Sequence, residues 1–188
     1  MNHNRDCQQQ EDFWIQQAKA GDTAAFENLV EKFSPVIFRT VSRMVPDKSE
    51  AEAIVQDAWL RAWRALPGYT TDRPFLPWIL RIAVNRSRDI WKKLKPLSFS
   101  DAEIEEDSLP DEQPDAEQQM INEQALARLA QGVVQLRFEY RTVITLKYDS
   151  GLAYQDIAAA MGVPVNTVRT YLRRAKQELL VWMEAEDG

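Results

Sequence analysis

The sequence predicts an all-α protein in which two small helical domains are joined by an acidic, flexible linker. Apolar residues recur at three- and four-residue steps through both halves of the chain, which is the spacing of helices that bury one face. Between these halves, residues 96–120 contain three prolines, nine acidic residues and no Lys or Arg. Such a segment cannot bury enough apolar surface to fold alone. We therefore expect a helical bundle over residues 12–95 and a second helical domain over residues 121–184, with residues 96–120 as the linker.

The charge of the chain is concentrated in that linker. The 29 acidic and 23 basic residues give a net charge of −6, which would by itself argue against a nucleic-acid partner. Counted by segment, residues 1–95 carry +3, residues 96–120 carry −9 and residues 121–188 are neutral. The total charge therefore says nothing against DNA binding by the two flanking domains.

Several other classes of protein lack support in the sequence. Cys7 and His3, the one cysteine and the one histidine, are too few for a disulfide within the chain or a usual zinc site, and both fall in a tail expected to fray. No apolar run is long enough to cross a membrane, and the first residues lack a signal-peptide core. No nucleophile–base pair or phosphate-binding loop is evident. We expect a cytoplasmic protein that is not an enzyme, with no cofactor, no metal, no small-molecule substrate and no membrane insertion.

Three helical segments are expected before residue 46. The first ends at Gly21, and Asp22 or Thr23 is suited to cap the second. Ser34–Pro35 is expected to begin the third, because proline is tolerated in the first turn of a helix. Apolar residues at helical spacing in these segments indicate a core face.

Residues 49–66 contain no Gly or Pro and have an acidic first turn, which predicts one long helix. One of its faces is small and apolar. A second face combines Trp59 and Trp63 with charged and polar residues, a composition typical of protein interfaces. The alternative is that both indole rings are buried within the domain, and the residues alone leave both possibilities open.

Residues 67–74 have the composition of a loop, and a basic helix is expected after it, from Trp78 to Lys95. Residues 68–95 contain seven basic and two acidic residues. The basic residues are interleaved with aromatic ones, which is the mixture expected where a protein grips a phosphate backbone and stacks unpaired bases. A merely solvated face would carry both signs of charge, so we favour a nucleic-acid surface.

Residues 151–176, GLAYQDIAAAMGVPVNTVRTYLRRAK, predict a helix-turn-helix. Gly162 is suited to end the first helix in a left-handed conformation, and Pro164 can open the second. Up to Lys176 the second helix carries four basic residues and no acid, which is typical of a recognition helix in the major groove. The alternative is an ordinary helix-Gly-helix corner with solvated basic residues. Helical patterns over residues 120–136 and 138–146 would pack beneath it.

Four blocks carry a family resemblance. They are residues 20–41 (AGDTAAFENLVEKFSPVIFRTV), 50–66 (EAEAIVQDAWLRAWRAL), 75–89 (FLPWILRIAVNRSRD) and 140–179 (YRTVITLKYDSGLAYQDIAAAMGVPVNTVRTYLRRAKQEL). In order and spacing they resemble the extracytoplasmic-function (ECF) group of sigma factors of bacterial RNA polymerase. The resemblance implies a non-enzymatic specificity subunit that binds core polymerase, recognises promoters through both domains and helps to open the duplex.

The resemblance also implies roles for individual residues. Docking on the coiled coil of the polymerase beta-prime subunit is implied for Gln56, Asp57, Leu60 and Arg61. Contacts with the melted minus-ten element are implied for Tyr69, Asp72, Trp78, Arg81 and Asn85, with Arg88 and Lys92 on the backbone of the strand. Reading of the minus-thirty-five element is implied for Asn166, Thr167, Arg169, Thr170, Arg173 and Arg174.

The partners implied by the resemblance are core RNA polymerase, through its beta-prime and beta subunits, promoter DNA and an anti-sigma factor. A membrane-bound anti-sigma factor would hold the protein at the inner face of the membrane. The acidic linker resembles the connector that threads through the polymerase cleft and RNA exit path. Two other functions stay open: a stand-alone helix-turn-helix regulator with an N-terminal sensor or dimerisation domain, and an adaptor that uses the same helices for protein contacts alone.

The chain departs from the family pattern at a few positions. Thr70–Thr71 stands where an Arg-Gly pair is common, so the base preferred by the minus-ten loop does not carry over. Ala153 stands where Ser usually caps the first helix of the helix-turn-helix, and the lost cap is expected to cost about 0.5–2 kcal/mol. Asn166 stands where Gly is frequent. The preferred promoter sequence is therefore not implied.

Overall fold

The computed structural model describes residues 3–70, 74–94 and 123–186. Within these residues the chain forms eight α-helices and no strand, which confirms the all-α class. The helices are α1 (His3–Lys19), α2 (Thr23–Met44), α3 (Lys48–Ala65), α4 (Phe75–Leu94), α5 (Glu123–Gln135), α6 (Phe138–Ile144), α7 (Tyr154–Met161) and α8 (Val165–Glu186). The predicted linker over residues 96–120 lies outside the described residues, as does Asp72.

α2 is one continuous helix, so the prediction of a new helix at Ser34–Pro35 is wrong. Proline cannot donate the backbone hydrogen bond expected inside a helix, and it usually breaks or kinks one. Here the residues on both sides of Pro35 share one buried face, which keeps the helix continuous. That face consists of Ala25, Leu29, Phe33, Ile37, Thr40, Val41 and Met44.

The beginnings of the helices follow from their capping residues. Asp22 caps α2, because its carboxylate accepts hydrogen bonds from the backbone N–H groups of Ala24 and Ala25 at 2.9 and 3.2 Å. Asp47 caps α3 in the same way, at 2.7 Å from the backbone N of Ser49. The hydrogen bond from the Ser49 hydroxyl, more than those from backbone N–H groups, lowers the pKa of Asp47 below its ordinary value.

Two helices begin earlier than the sequence predicts. The backbone of α1 is helical from His3, where a frayed tail was expected, and residues 3–19 contain no Gly or Pro to interrupt it. α4 begins at Phe75 instead of Trp78, with Pro77 in its first turn. A proline is tolerated there because the first N–H groups of a helix have no partner within it.

The core of α1–α4 is mostly aliphatic and contains a cluster of aromatic rings. The ring of Phe75 lies 5.3 Å from that of Phe33 and 6.4 Å from that of Trp59, measured between centroids. Trp59 is 7% exposed and donates from Nε1 to the hydroxyl of Ser34 at 3.0 Å. Trp63 is half-buried against Phe26. The alternative that both tryptophans of α3 are buried within the domain is therefore correct for Trp59, whereas Trp63 is only half-buried.

The second half contains the predicted helix-turn-helix, formed by α7, Gly162 and α8. Gly162 has a φ of 69°, the left-handed conformation that glycine adopts without strain, and its N–H donates to the carbonyl of Ala158 at 2.9 Å. Ala153 precedes α7 without a side-chain cap, as its sequence predicts. At Gly132 a Cβ atom would lie 2.8 Å from the ring of Trp182, so this glycine lets α5 approach α8 closely.

The two halves pack against each other, an arrangement that the sequence leaves undetermined. α4 lies against α7, and α2 lies against α6 and the π-helical turn Thr145–Asp149. The hydroxyls of Thr40 and Ser150 are 2.9 Å apart, and Arg43 forms an ion pair with Asp149 at 3.4 Å. Both contacts join the end of α2 to the segment before α7.

Arg141 of α6 is the most deeply buried cation of this contact, with 2% of its surface exposed. Its guanidinium donates to the carbonyl of Met44, at the end of α2, at 3.3 Å. It also lies 4.6 Å from the ring centroid of Trp91 on α4. Further bonds go to the carbonyls of Val133, Val134 and Leu136 around the end of α5. A cation is favourable at helix C-termini, and this one joins helices from both halves.

Candidate polymerase and nucleic-acid interfaces

The four residues predicted to dock on polymerase share one side of α3. Gln56, Leu60 and Arg61 are exposed, and Leu60 retains 60% of its surface, which is high for a large apolar side chain. Asp57 is half-exposed between two cations, at 2.8 Å from Arg61 and 3.0 Å from Arg86. Spacing of one, three and four residues places all four on one helical face.

Arg86 of α4 was not predicted as part of this surface. It reaches Asp57 across the α3–α4 contact, so it orients the carboxylate and offsets its charge. Nothing in the local sequence indicates this pair, because the two residues lie on different helices and meet through tertiary packing. The predicted docking face therefore lies on α3, and one of its side chains is positioned by α4.

Tyr69 differs from the prediction of an aromatic group available to stack on a base. Its side chain is 4% exposed, and its ring packs at 5.6 Å from the ring of Phe75 and 4.9 Å from that of Trp78. The ring is buried because it packs among the aromatic side chains at the start of α4. Lys19, which the sequence did not single out, donates to the backbone carbonyl of Tyr69 at 2.7 Å.

The remaining described residues of the predicted minus-ten set form one stripe along α4. Steps of three or four residues separate them, which is the spacing of a single helical face. Trp78 and Arg88 are half-buried, while the other three side chains are exposed. The stripe consists of Trp78, Arg81, Asn85, Arg88 and Lys92.

Part of this stripe is turned towards the helix-turn-helix. Arg88 donates to the carbonyl of Met161 at 3.5 Å, and its guanidinium lies 5.8 Å from the ring centroid of Phe138. The guanidinium of Arg81 lies beside Gly162. Further along, a cleft of about 400 Å³ opens between α4 and α7, lined by Trp78, Arg81, Gln155 and Asp156 together with Pro74, Pro77 and Ala159.

The predicted minus-thirty-five residues cluster in the first three turns of α8. Its opposite side buries Val168, Leu172 and Ala175 in the core of the second half. Asn166 and Arg169 are exposed and within hydrogen-bond distance of each other, at 3.5 Å. The other four are half-buried: Thr167, Thr170, Arg173 and Arg174. This arrangement presents basic and amide groups at the start of the second helix, the part that enters the major groove in helix-turn-helix proteins.

Two kinds of site are absent from the described part of the chain. No helix among residues 3–70, 74–94 and 123–186 has both the length and the apolar character needed to cross a membrane. The same residues contain no cluster of three or more His, Cys, Asp or Glu side chains that could hold a metal ion.

Comparison with known proteins gives the family. Residues 29–96 match Sigma-70 region 2, and residues 126–179 match Sigma-70, region 4. The chain is 32% identical to the RNA polymerase sigma-H factor of Pseudomonas aeruginosa, over 92% of this chain and 93% of that protein. It is 33% identical to the ECF RNA polymerase sigma factor SigW of Bacillus subtilis, over 88% and 92%.

A solved structure supports the same relationship. The structure of CnrH in complex with the cytosolic domain of CnrY superposes with a TM-score of 0.69 at 26% identity, over 94% of this chain and 98% of that one. Two helical regions and matches to both sigma-70 regions define a transcription initiation factor. The chain belongs to the ECF group of the sigma-70 family of RNA polymerase sigma factors. Sigma factors are not catalytic, so the protein is not an enzyme.

Proposed function

We propose that three surfaces of this sigma factor divide the work of initiation. The exposed face of α3 docks on the beta-prime subunit of core RNA polymerase. The segment 67–74 and α4 hold the minus-ten element as a single strand, and the start of α8 reads the minus-thirty-five element. Contact with the beta subunit and passage of residues 96–120 through the polymerase are further predictions from the family.

The observation that carries this proposal is the presence of two basic stripes, on α4 and α8, in one chain that also exposes Leu60. The stripe on α4 combines guanidinium, amide and indole groups, which suits a strand whose bases are unstacked. The start of α8 has the donors that bind guanine and adenine edges in a major groove. A protein that bound duplex DNA alone would have no use for the mixed apolar and charged face of α3.

α7 lies against part of the surface of α4 that is proposed to bind the minus-ten strand. Arg88 bonds to the carbonyl of Met161, and Arg81 lies beside Gly162, so α7 and a DNA strand compete for the same side of α4. We infer that the two halves separate when α4 takes up the minus-ten strand. The arrangement in which the two halves are packed together, which we call closed, includes buried groups such as Arg141 and the aromatic contact of Trp91 with Phe138. We expect it to open only when DNA or core polymerase compensates for the loss of these contacts.

We also propose that a protein partner controls this sigma factor in the cytoplasm. The sigma factor CnrH, which superposes over nearly the whole chain, was solved with the cytosolic domain of CnrY bound. A partner that bound across both halves here would stabilise one arrangement over the other, because a ligand shifts a conformational equilibrium by its difference in affinity for the two states. A membrane-bound partner would hold the protein at the inner face of the membrane.

Run-off transcription with purified core RNA polymerase and a library of genomic fragments tests the proposal. We expect discrete, promoter-specific transcripts that require this protein. A stand-alone regulator would bind its DNA site without core polymerase and would give no such transcripts. An adaptor that uses its helices for protein contacts would be unaffected by charge reversal at Arg169. The absence of any specific transcript in a reaction free of inhibitors would overturn the proposal.

A further inference from the structure

Trp91 of α4 lies at the contact between the two halves. The centroid of its ring is 6.1 Å from that of Phe138, with 39° between the ring planes, and 4.6 Å from the guanidinium of Arg141. Both partners belong to α6, in the other half of the molecule. Trp91 is only half-buried, whereas Phe138 and Arg141 each keep 2% of their surface exposed. Separation of the two halves would therefore remove both of these contacts from the indole.

The same face of α4 carries basic groups proposed to hold the minus-ten strand. Arg88 lies three residues before Trp91, about one helical turn away, and Lys92 follows Trp91 directly. The guanidinium of Arg88 lies 5.8 Å from the ring centroid of Phe138, so Arg88 and Trp91 pack on one ring of α6. A strand that bound Arg88 in place of α6 would therefore meet the indole of Trp91 as well.

Opening of the closed arrangement would expose more of the indole to water. Tryptophan has a large apolar surface, and its transfer to water is unfavourable. An unpaired base has a flat π face, and it stacks favourably on an aromatic side chain whatever its identity. Such a base would replace the contacts that the ring of Phe138 and the guanidinium of Arg141 make with the indole in the closed arrangement.

We propose that Trp91 stacks on an unpaired base of the minus-ten strand once the two halves have separated. The base takes the place of Phe138 and Arg141 against the indole, so it offsets part of the free energy lost on opening. This inference rests on the proposed function, in which α4 holds the minus-ten element as a single strand. Trp91 is not among the residues for which the family resemblance implies a DNA contact.

Trp91→Leu tests the inference, because it keeps an apolar side chain and removes the flat ring. Phe138→Leu is the matched control, since it removes the other ring of the same contact from the half that is not proposed to bind this strand. Trp91→Tyr keeps an aromatic face. Each variant is assembled with core polymerase, and its affinity for a minus-ten single strand is measured by fluorescence anisotropy. The measurement is repeated with strands that carry one abasic site at each position in turn.

We expect Trp91→Leu to reduce strand affinity about tenfold, which is within the range for the loss of one base stack. One abasic position should weaken binding of the wild-type protein by a similar factor. The same abasic position should have little further effect on Trp91→Leu, because the stack is already absent. Trp91→Tyr should keep the affinity within about threefold of the wild type, since tyrosine also stacks on bases.

Phe138→Leu should bind the strand as tightly as the wild type or more tightly. The substitution weakens the closed arrangement, so the binding-competent fraction of the protein does not fall. Melting temperature and core affinity, measured in parallel, separate these effects from loss of folding. If Trp91→Leu does not fold, Trp91→Met replaces it, and the same loss of affinity is expected.

Three results would overturn the inference. Unchanged or higher affinity in Trp91→Leu would show that Trp91 only holds the two halves together. Equal losses in Trp91→Leu and Phe138→Leu would assign the effect to the contact between the halves. Equal sensitivity of Trp91→Leu and the wild type to every abasic site would exclude stacking on a base. If the wild-type holoenzyme does not bind the single strand at all, the proposed minus-ten function fails, and this inference fails with it.

Discussion

In α4 the proposed DNA-contacting side chains lie partly against the other half of the molecule, whereas α8 packs on α5, α6 and α7 of its own half. The two helices are otherwise similar, since each buries one apolar side and carries basic residues on another. The amphipathic, basic sequence pattern of a helix therefore does not show whether DNA can reach that helix in the folded protein. If α4 holds the minus-ten strand as proposed, it has to exchange a protein neighbour for a nucleic-acid strand, and this exchange offers a point of control.

A covalent link that holds α4 and α7 together should have the largest effect, which we expect on the affinity for a minus-ten single strand. Pro74 and Gln155 line the cleft from its two sides, and neither is among the individual residues predicted to contact the minus-ten strand. Because Pro74 belongs to the segment proposed to hold that strand, the double-cysteine protein before linking sets the reference affinity. We expect a short bis-maleimide bridge between cysteines at these positions, in a Cys7→Ser background, to reduce affinity for a minus-ten single strand about a hundredfold. The binding-competent fraction falls to the fraction left unlinked, and apparent affinity falls with it. Affinity is measured by fluorescence anisotropy with holoenzyme.

The same double-cysteine protein before linking, and each single-cysteine protein after treatment, serve as controls. Core binding is measured separately, so that a loss of docking is not mistaken for a loss of strand capture. Full strand binding by the linked protein would show that α4 is available to DNA in the closed arrangement.

Charge reversal on α8 should have the next largest effect, a loss of transcription that depends on the minus-thirty-five element. Arg169→Glu with Arg173→Glu is expected to reduce transcription from a promoter that depends on its minus-thirty-five element about thirtyfold, if each lost contact is worth about 1 kcal/mol. Binding of a minus-ten single strand should not change, because α4 is untouched. Run-off transcription and strand binding are measured on the same preparations. Arg39→Glu with Lys48→Glu, two exposed cations of the first half, is the control.

Loss of minus-ten strand binding in the α8 variant would mean that the two DNA surfaces are not independent. An unchanged transcript level would remove α8 from minus-thirty-five recognition.

Asp57→Arg should reduce affinity for core polymerase about tenfold without changing the DNA contacts of α8. The carboxylate lies between Arg61 and Arg86, and its reversal places three cations together on the docking face. Like charges at such short range are unfavourable, and the partner surface loses its acidic contact. Affinity is measured by titrating labelled protein with core polymerase. Glu27→Arg, an exposed reversal on α2, should bind core normally. Equal affinities for the two variants would contradict the assigned docking face.

Arg43→Ala should have the smallest effect, a shift in the equilibrium between packed and separated halves. The ion pair with Asp149 joins the two halves at 3.4 Å, but both side chains are partly exposed, and such pairs contribute about 0–1 kcal/mol. We expect a shift of up to about fivefold towards separated halves, seen as lower energy transfer between dyes placed on α3 and α8. Arg39→Ala, one turn earlier on α2, is the matched control. A shift towards the closed arrangement would contradict the role of this pair.

Much of the secondary structure was predictable because it depends on local chemistry. Asp22 and Gly162 begin and end helices through hydrogen bonds and backbone conformations that involve only their neighbours. The prediction failed at Pro35, where tertiary burial on both sides of the proline outweighs a local helix-breaking preference. It also missed the helical start of α4 at Phe75.

The candidate site was predictable to a similar degree. Helical spacing correctly places the α4 stripe on one side and the docking residues of α3 on one face. It could not show that the ring of Tyr69 is buried, or that Lys19 and Arg86 hold groups of these surfaces in place. Such partners come from other helices, and no periodic pattern within one helix records them. Whether the predicted residues contact DNA or polymerase stays a prediction.

The all-α class, the helix-turn-helix, the uneven distribution of charge and the family resemblance were all evident from the amino-acid sequence. These features depend on short-range preferences and on the order of motifs along the chain. Three other features became evident only in the folded molecule: α4 packs against α7, Arg141 joins the ends of helices from both halves, and Lys19 donates to the carbonyl of Tyr69. These contacts join residues distant in the chain, so their geometry exists only once both partners are folded.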